Sequence, residues 1–282
     1  MKHVLGIVAS PRRLGNSEMA VKEIGSRIEV PHELKMLRLT DFDIQPCLAC
    51  YRCLFGEGEC VQRDEFEQVL NPILEADGLI LAAPTYFLGA NAALKRFLDR
   101  GLSFYSHVDS LWGKPAVGIG IAGVKGKEGY TLLNIRSFLK LILAEIRGTV
   151  QIYGALPGEI FLSDQNRETA AKLGRALFDL PLPATGPFCP LCGGDTFRFL
   201  DSHRVRCMLC SNDGEMEVGP GGPRFAIERS GHEFFLKKKD VIAHGEWLRG
   251  MKDRFLAEKK GLKEISLHYR KGWDWIRPDR SS

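Results

Sequence analysis

Eight cysteines are the residues of this sequence best suited to chemistry, and they fall into two sets of four. Tight CxxC spacing in a reducing compartment indicates metal binding or redox chemistry more than disulfides. No cysteine is left over, so the sequence predicts two four-thiolate sites. Their members are Cys47, Cys50, Cys53 and Cys60 in the first set, and Cys189, Cys192, Cys207 and Cys210 in the second.

The first set lies in the segment CLACYRCLFGEGEC, with two, two and six residues between successive cysteines. A 4Fe–4S cubane takes one thiolate at each of four corners, so three closely spaced cysteines and a fourth on a returning arm suit it. Gly56 and Gly58 favour the turn that brings the fourth cysteine back. The spacing predicts a 4Fe–4S cluster, and a zinc ion held by four thiolates remains the alternative.

The second set consists of two CxxC pairs with fourteen residues between them. This spacing is typical of a zinc ribbon, in which each pair caps a small β-hairpin and the metal replaces a core too small to fold alone. We therefore predict a structural zinc module over residues 188–219. Rubredoxin-type iron is the alternative.

A loop rich in hydroxyl and amide groups, ASPRRLGNS, joins the first predicted strand to the first predicted helix. Ser10, Asn16 and Ser17 offer donors, Arg12 adds a charge, and a helix start favours an anion. GxGxxG and GK[ST] are both missing, which argues against a dinucleotide turn and a P-loop. The loop suits a terminal monophosphate such as that of FMN; a plain turn with a helix cap is the alternative.

A second segment, APTYFLGANAALKRFLDR, follows the third predicted strand. If a flavin ring lies above the edge of the sheet, five residues of this segment would line it. The aromatic residues among them would also suit a hydrophobic core. The five residues are Pro84, Thr85, Tyr86, Phe87 and Gly89. The glycine-rich segment 122–130 after the fourth strand is expected to approach the edge of the ring.

Five β-α repeats position these loops, and they predict an α/β domain with a doubly wound, five-stranded parallel sheet. Strands are expected at 2–9, 34–39, 78–83, 115–121 and 149–153, and helices at 17–28, 64–75, 89–100, 130–146 and 164–180. A Pro/Gly break after residue 180 separates a domain over 1–183 from the ribbon. A second break, GPGGPR, precedes a basic, mostly helical tail over 224–282 with a helix at 240–260. On that helix, Leu248, Met251, Phe255 and Leu262 share one face.

Composition places the chain among ordinary globular proteins, with 44% hydrophobic and 26% charged residues among 282. The net charge of +4 is concentrated in residues 224–282, which hold 15 Lys and Arg against 9 Asp and Glu. The sequence has no apolar run of about 18 residues and no recognisable signal peptide. We therefore expect a cytoplasmic protein without membrane contact.

Taken together, the segments SPRRLGNS and PTYFLGANAALKRFLDR and the four-cysteine loop resemble the NADPH-dependent FMN reductase family, and within it the iron–sulfur flavoproteins. The likeness covers about residues 1–180. It implies a flavodoxin-like fold, FMN held at Ser10, Arg12, Asn16, Ser17 and Pro84–Phe87, a 4Fe–4S cluster near the flavin, and dimers or tetramers. It also implies that cluster-free members can keep some of the cysteines. Ala9 departs from the glycine common in the family.

The sequence thus favours an FMN-dependent oxidoreductase that transfers electrons through a 4Fe–4S cluster, with no side chain needed as a nucleophile. The electron donor would be NAD(P)H or a redox partner protein. One alternative is an NAD(P)H-dependent FMN or quinone reductase without a cluster. Another is a redox sensor whose ribbon and tail act on a partner; nucleic acid is disfavoured as that partner, because the apolar face of the tail helix suits packing.

Overall fold

The computed structural model describes residues 1–56, 58–270, 272 and 276–278. The first domain has strands β1 (Lys2–Val8), β2 (His32–Arg38), β3 (Gly78–Tyr86), β4 (Gly89–Ala90), β5 (Pro115–Ala122) and β6 (Glu145–Tyr153). Its helices are α1 (Asn16–Ser26), α2 (Arg52–Phe55), α3 (Phe66–Glu75), α4 (Ala93–Leu98), α5 (Val108–Leu111), α6 (Thr131–Leu141) and α7 (Asp164–Ala176). Short 3-10 turns lie at Leu39–Asp41, Gly101–Ser106 and Glu159–Leu162.

The strand order of the main sheet is β2-β1-β3-β5-β6, and all four of these pairings are parallel. This order is 2-1-3-4-5 when the five parallel strands are counted alone, which is the flavodoxin-like order. The predicted fold class is confirmed. In such a sheet the loops after β1, β2, β3 and β5 all leave from one edge, the carboxyl edge of the strands.

Two apolar cores form because side chains alternate along each buried strand. On β1, Val4 and Val8 belong to the core under α1 and α7, whereas Leu5 and Ile7 belong to the core under α3 and α6. Gly6 lets α1 approach closely, since a Cβ there would lie 2.4 Å from a methyl carbon of Val21. The position of α1 fixes where the loop after β1 ends.

The predicted helix over 89–100 is wrong at its start, because α4 begins only at Ala93. Gly89 and Ala90 instead pair antiparallel with Tyr86 and Thr85 across a tight turn. The predicted helix over 130–146 also runs too far. It ends at Leu141, and Leu143, with φ of 63°, turns the chain into β6.

The C-terminal part contains an antiparallel sheet, ordered β10-β9-β8-β7, and one long helix. Its elements are β7 (Phe197–Phe199), β8 (Arg204–Cys207), β9 (Asp213–Gly219), β10 (Gly222–Ile227) and α8 (Lys238–His268). The expected break at GPGGPR is instead a two-residue hairpin joining β9 to β10, with Gly222 at φ +94°. The predicted tail over 224–282 therefore begins within a strand.

Helix α8 is 31 residues long and extends beyond the predicted 240–260. Val241 and Gly245 are buried, but Phe255 and Leu262 are exposed, so the predicted apolar face packs on the protein only near the start of the helix. Trp273 and Trp275 of the tail lie outside the described residues. No helix in the described part of the chain is long and apolar enough to cross a membrane.

Candidate functional site

The loop between β1 and α1 gathers the residues predicted to hold a phosphate. Ser10, Asn16 and Ser17 are buried, whereas the Arg12 side chain is exposed. Helix α1 starts at Asn16, and its hydrogen-bond ladder opens with the Met19 N–H donating to the Gly15 carbonyl. The backbone N–H groups before Met19 are therefore not used by the hydrogen bonds of the helix itself, as is usual at helix N-termini that bind anions.

Asn16 also makes hydrogen bonds within the protein that its position in the sequence does not predict. Its amide nitrogen donates to the Gly154 carbonyl at 3.0 Å, and its amide oxygen accepts from the Gly158 N–H at 2.8 Å. These bonds tie the loop after β1 to the loop after β6. Much of the Asn16 amide is engaged within the protein, so any contact with a phosphate depends on its second amide hydrogen.

Arg38 and Glu18 support this loop, and sequence reasoning missed both. The Arg38 guanidinium donates to the Ser10 and Arg12 carbonyls at 2.9 and 3.0 Å and to the Glu18 carboxylate at 2.6 Å. A hydrogen bond from Lys22, joined by those from the Leu14 N–H and Arg38, lowers the pKa of Glu18 to about 2 despite burial. In the sequence, the only feature that could have pointed to these residues is Glu18, a charged residue in the first turn of α1.

The segment predicted to line a ring forms the turn between β3 and β4. Pro84 and Thr85 are half-buried and Gly89 is buried, whereas Tyr86 and Phe87 are exposed. Phe87 and the following residue, Leu88, have φ of 48° and 67°. Since non-glycine residues seldom adopt such angles, this turn depends on its surroundings.

Hydrogen bonds join this turn to the loop after β5. The hydroxyls of Thr85 and Thr131 lie 2.8 Å apart, and the Tyr130 N–H donates to the Leu88 carbonyl at 2.8 Å. A Cβ on Gly89 would lie 2.7 Å from the Tyr130 ring, so glycine is needed where the two loops touch. The structure therefore brings together the segment 84–89 and the segment 122–130, as expected for two walls of one site.

The first cysteine set lies on the loop that follows β2. Cys50 is exposed, and the other three cysteines of this set are half-buried, with Cys53 on α2. Ala49 and Tyr51 have φ of 50° and 59°, which twists the chain between the three closely spaced cysteines. Gly58 has φ of +92°, and a Cβ there would lie 2.6 Å from Ser106, so only glycine suits the returning arm.

Cys53 is influenced by the other three cysteines of this set. Burial, followed by the charges of Cys60, Cys47 and Cys50, raises the pKa of Cys53. Among the described residues, only the second set brings its sulfurs within the reach of a single ion.

The second cysteine set has the geometry of a single metal site. All four Sγ atoms lie within 4.8 Å of one another, with Cys189 and Cys210 at 3.8 Å and Cys192 and Cys207 at 3.5 Å. A tetrahedral zinc with bonds of about 2.3 Å places its thiolates about 3.8 Å apart. Hydrogen bonds among the four sulfurs lower the pKa values of Cys189 and Cys210 and raise those of Cys192 and Cys207, so the four thiols share their protons as one group.

Among the contacts between the C-terminal part and the first domain, two lie near the cysteine sets. Arg136 on α6 forms an ion pair with Asp195 beside the second cysteine set. On α8, the Arg249 Nε donates to the Leu54 carbonyl at 3.2 Å, and the Lys252 ammonium lies 5.5 Å from the centroid of the Phe55 ring. Helix α8 therefore packs directly on α2, within the first cysteine loop.

Comparisons with known proteins agree with this architecture. Residues 2–150 match the model of the family described as NADPH-dependent FMN reductase. An iron–sulfur flavoprotein of Archaeoglobus fulgidus is 32% identical over 174 residues, which cover 60% of this chain and 76% of that protein. An iron–sulfur flavoprotein of Methanocaldococcus jannaschii is 31% identical over 189 residues, which cover 63% of this chain and 96% of the relative.

The fold of the C-terminal part also has a counterpart. A solved structure of a flavone reductase superposes with a TM-score of 0.72 at 17% identity, covering 98% of this chain and all of that one. This likeness concerns the fold alone. It extends over the antiparallel sheet and α8, which lie outside the residues that match the family model.

Proposed function

We propose that this chain, which belongs to the NADPH-dependent FMN reductase family, is an electron-transfer flavoprotein that binds FMN and a 4Fe–4S cluster. Its membership makes it a flavin-dependent oxidoreductase, and its curated relatives are named iron–sulfur flavoproteins. One observation carries the proposal. The four-cysteine loop follows β2 at the carboxyl edge of the sheet, and Arg38, the last residue of β2, supports the phosphate loop at that same edge.

The residues at this edge fit FMN in their chemistry. Ser10 and Ser17 are buried hydroxyls beside a helix start, and Arg12 supplies a positive charge. Pro84, Thr85, Tyr86, Phe87 and Gly89 would form the wall of the flavin ring, together with the segment 122–130. Glu18 and Arg38 would keep the phosphate loop in place without touching the ligand.

The first cysteine set fits a 4Fe–4S cluster as a donor set, with Cys47, Cys50, Cys53 and Cys60 as its four thiolates. When bound, FMN supplies two-electron chemistry and the cluster supplies one-electron chemistry. The protein's part is to bind and orient both groups, so no side chain needs to act as a nucleophile.

The electron donor would be NAD(P)H or a redox partner protein, and the chain would act as a homo-oligomer. The exposed apolar side chains at the edge of the ring site support a second copy there, since Tyr86, Phe87 and Leu88 are 46%, 102% and 51% exposed. Sedimentation at a single chain's mass would contradict the oligomer.

The second cysteine set would hold structural zinc, and metal analysis of protein purified without oxygen tests both metal sites. We expect about one zinc per chain, with one FMN and about four iron and four sulfide. Cys192→Ser should remove the zinc and speed hydrogen exchange over residues 188–227, because the metal replaces a core in a module this small. The flavin spectrum and the iron content should not change.

Met208→Ser is the matched control, because Met208 is exposed and neighbours Cys207 without offering a thiolate. This variant should keep its zinc. Iron in place of zinc at the second set would contradict the structural zinc site. Protein without flavin, iron and sulfide would contradict the proposed function.

A further inference from the structure

Arg100 and Asp64 form a buried ion pair beneath the first cysteine loop. Their side chains are 1% and 2% exposed. The Arg100 Nη1 donates to Asp64 Oδ2 at 2.5 Å, and its Nη2 donates to Asp64 Oδ1 at 3.3 Å. The guanidinium carbon also lies 4.6 Å from the centroid of the Phe66 ring. Such a pair is held rigidly and is shielded from solvent.

This pair closes the cysteine loop at both ends. Asp64 follows Cys60 by four residues, and Gln45 precedes Cys47 by two. The Gln45 N–H donates to the Asp64 carboxylate at 2.8 Å, and the Gln45 carbonyl accepts from Arg100 Nη1 at 3.0 Å. All four cysteines therefore lie on a loop whose two ends meet at one ion pair.

The guanidinium of Arg100 keeps its positive charge in this buried position. Burial lowers the pKa of Arg100, but hydrogen bonds with Asp64 and then with Cys60 outweigh that effect, so this pKa is raised. The Arg100 Nε is buried and has no hydrogen-bond partner among the described residues. One buried N–H of this guanidinium is therefore left without an acceptor.

We propose that Arg100 is a positioning residue of the iron–sulfur site: it closes the four-cysteine loop through Asp64 and Gln45 and places a fixed positive charge where the two ends of that loop meet. This inference rests on the proposed function. Reduction adds one negative charge to a cluster, and hydrogen bonds and charges near its sulfurs set the reduction potential. The positive charge of Arg100 thus raises the reduction potential of the cluster, and the negative charge of Asp64 lowers that potential.

A pair of substitutions separates this role from a merely structural one. Asp64→Asn leaves the positive charge uncompensated, so the potential should rise; Arg100→Gln leaves the negative charge, so it should fall. Arg100→Lys keeps the charge but loses the two-pronged geometry, so the potential should stay near that of the wild type while the loop closes less firmly. The measurement is a redox titration of the oxygen-free holoprotein, followed by electron paramagnetic resonance.

Lys114→Gln provides the control, since Lys114 is a half-buried cation at the amino end of β5, where its ammonium donates to the Leu74 carbonyl at 2.9 Å. This variant should not change the potential. Shifts of the same sign in Asp64→Asn and Arg100→Gln, or no shift in either, would overturn the proposal.

A second readout uses the metal-free protein and covers any variant that fails to hold the cluster. Alkylation of Cys60 should be faster in Asp64→Asn and Arg100→Lys than in the wild type, because the loop opens more often. Equal rates would overturn the loop-closing role. Wild-type protein that lacks iron and sulfide would instead refute the proposed function, and the alkylation rates would still decide whether the pair closes the loop.

Discussion

Cys53→Ser should abolish the broad visible absorbance of the cluster and lower the iron content well below the wild-type value of about four per chain. Cys53 lies on α2, half-buried, and its thiol responds to the charges of the other three cysteines of the set. A serine hydroxyl there leaves one corner of the cubane without its thiolate. FMN should remain bound, because its proposed contacts come from the loops after β1, β3 and β5.

Leu48→Ser is the matched control for this substitution, because Leu48 lies in the same loop, is 66% exposed and supplies no ligand. It should retain both iron and flavin. Full iron content in Cys53→Ser would exclude Cys53 as a ligand. Loss of FMN together with the iron would mean that the two cofactors do not depend on separate loops.

Arg12→Ala should weaken FMN binding by about 10- to 100-fold, because a charge-assisted hydrogen bond contributes about 1.5–3 kcal/mol. The free energy of unfolding of the flavin-free protein should hardly change, since the Arg12 side chain is exposed and the contacts of the loop with Arg38 use main-chain carbonyls. Titration of the flavin-free protein with FMN, followed by flavin fluorescence, measures the effect.

Arg13→Ala serves as the matched control, because Arg13 is the exposed neighbour of Arg12 and carries the same charge. It should bind FMN within a fewfold of the wild type. An equal loss in both variants would assign the effect to the overall charge of the loop. Tighter binding of FAD than of FMN would contradict a site for a terminal monophosphate.

The parallel sheet and the gathering of the second cysteine set were predictable because their signals are local. The apolar run of β1 and the spacing of Cys189, Cys192, Cys207 and Cys210 fix structure within short stretches of chain. The hairpin at Gly89 was not predictable, because an alanine-rich segment has high helix propensity and a bond from the Ala90 N–H to the Asn134 side chain overrides it. The end of α6 was not predictable from the sequence, because the residue with positive φ that turns the chain after the helix is Leu143 and not a glycine.

The residues that support the candidate sites were hidden for a different reason. Arg38 and Glu18 are 20 positions apart, and Arg100 and Asp64 are 36 positions apart. Each of these charges is typical of an exposed surface when read alone. Only the folded chain shows that each buried arginine has a carboxylate partner beside a loop that needs support. Local patterns therefore predicted the loops of the candidate site, and tertiary contacts showed the residues that hold those loops in place.

The most direct test of the central claim, that one chain carries both FMN and a 4Fe–4S cluster, is an oxygen-free reductive titration of the purified protein with dithionite. We expect uptake of about three electrons per chain, two bleaching the flavin and one producing the paramagnetic signal of a reduced cluster. Cys53→Ser should take up only about two and show no such signal. Uptake of two electrons by the wild type, with no paramagnetic signal at full reduction, would contradict the account.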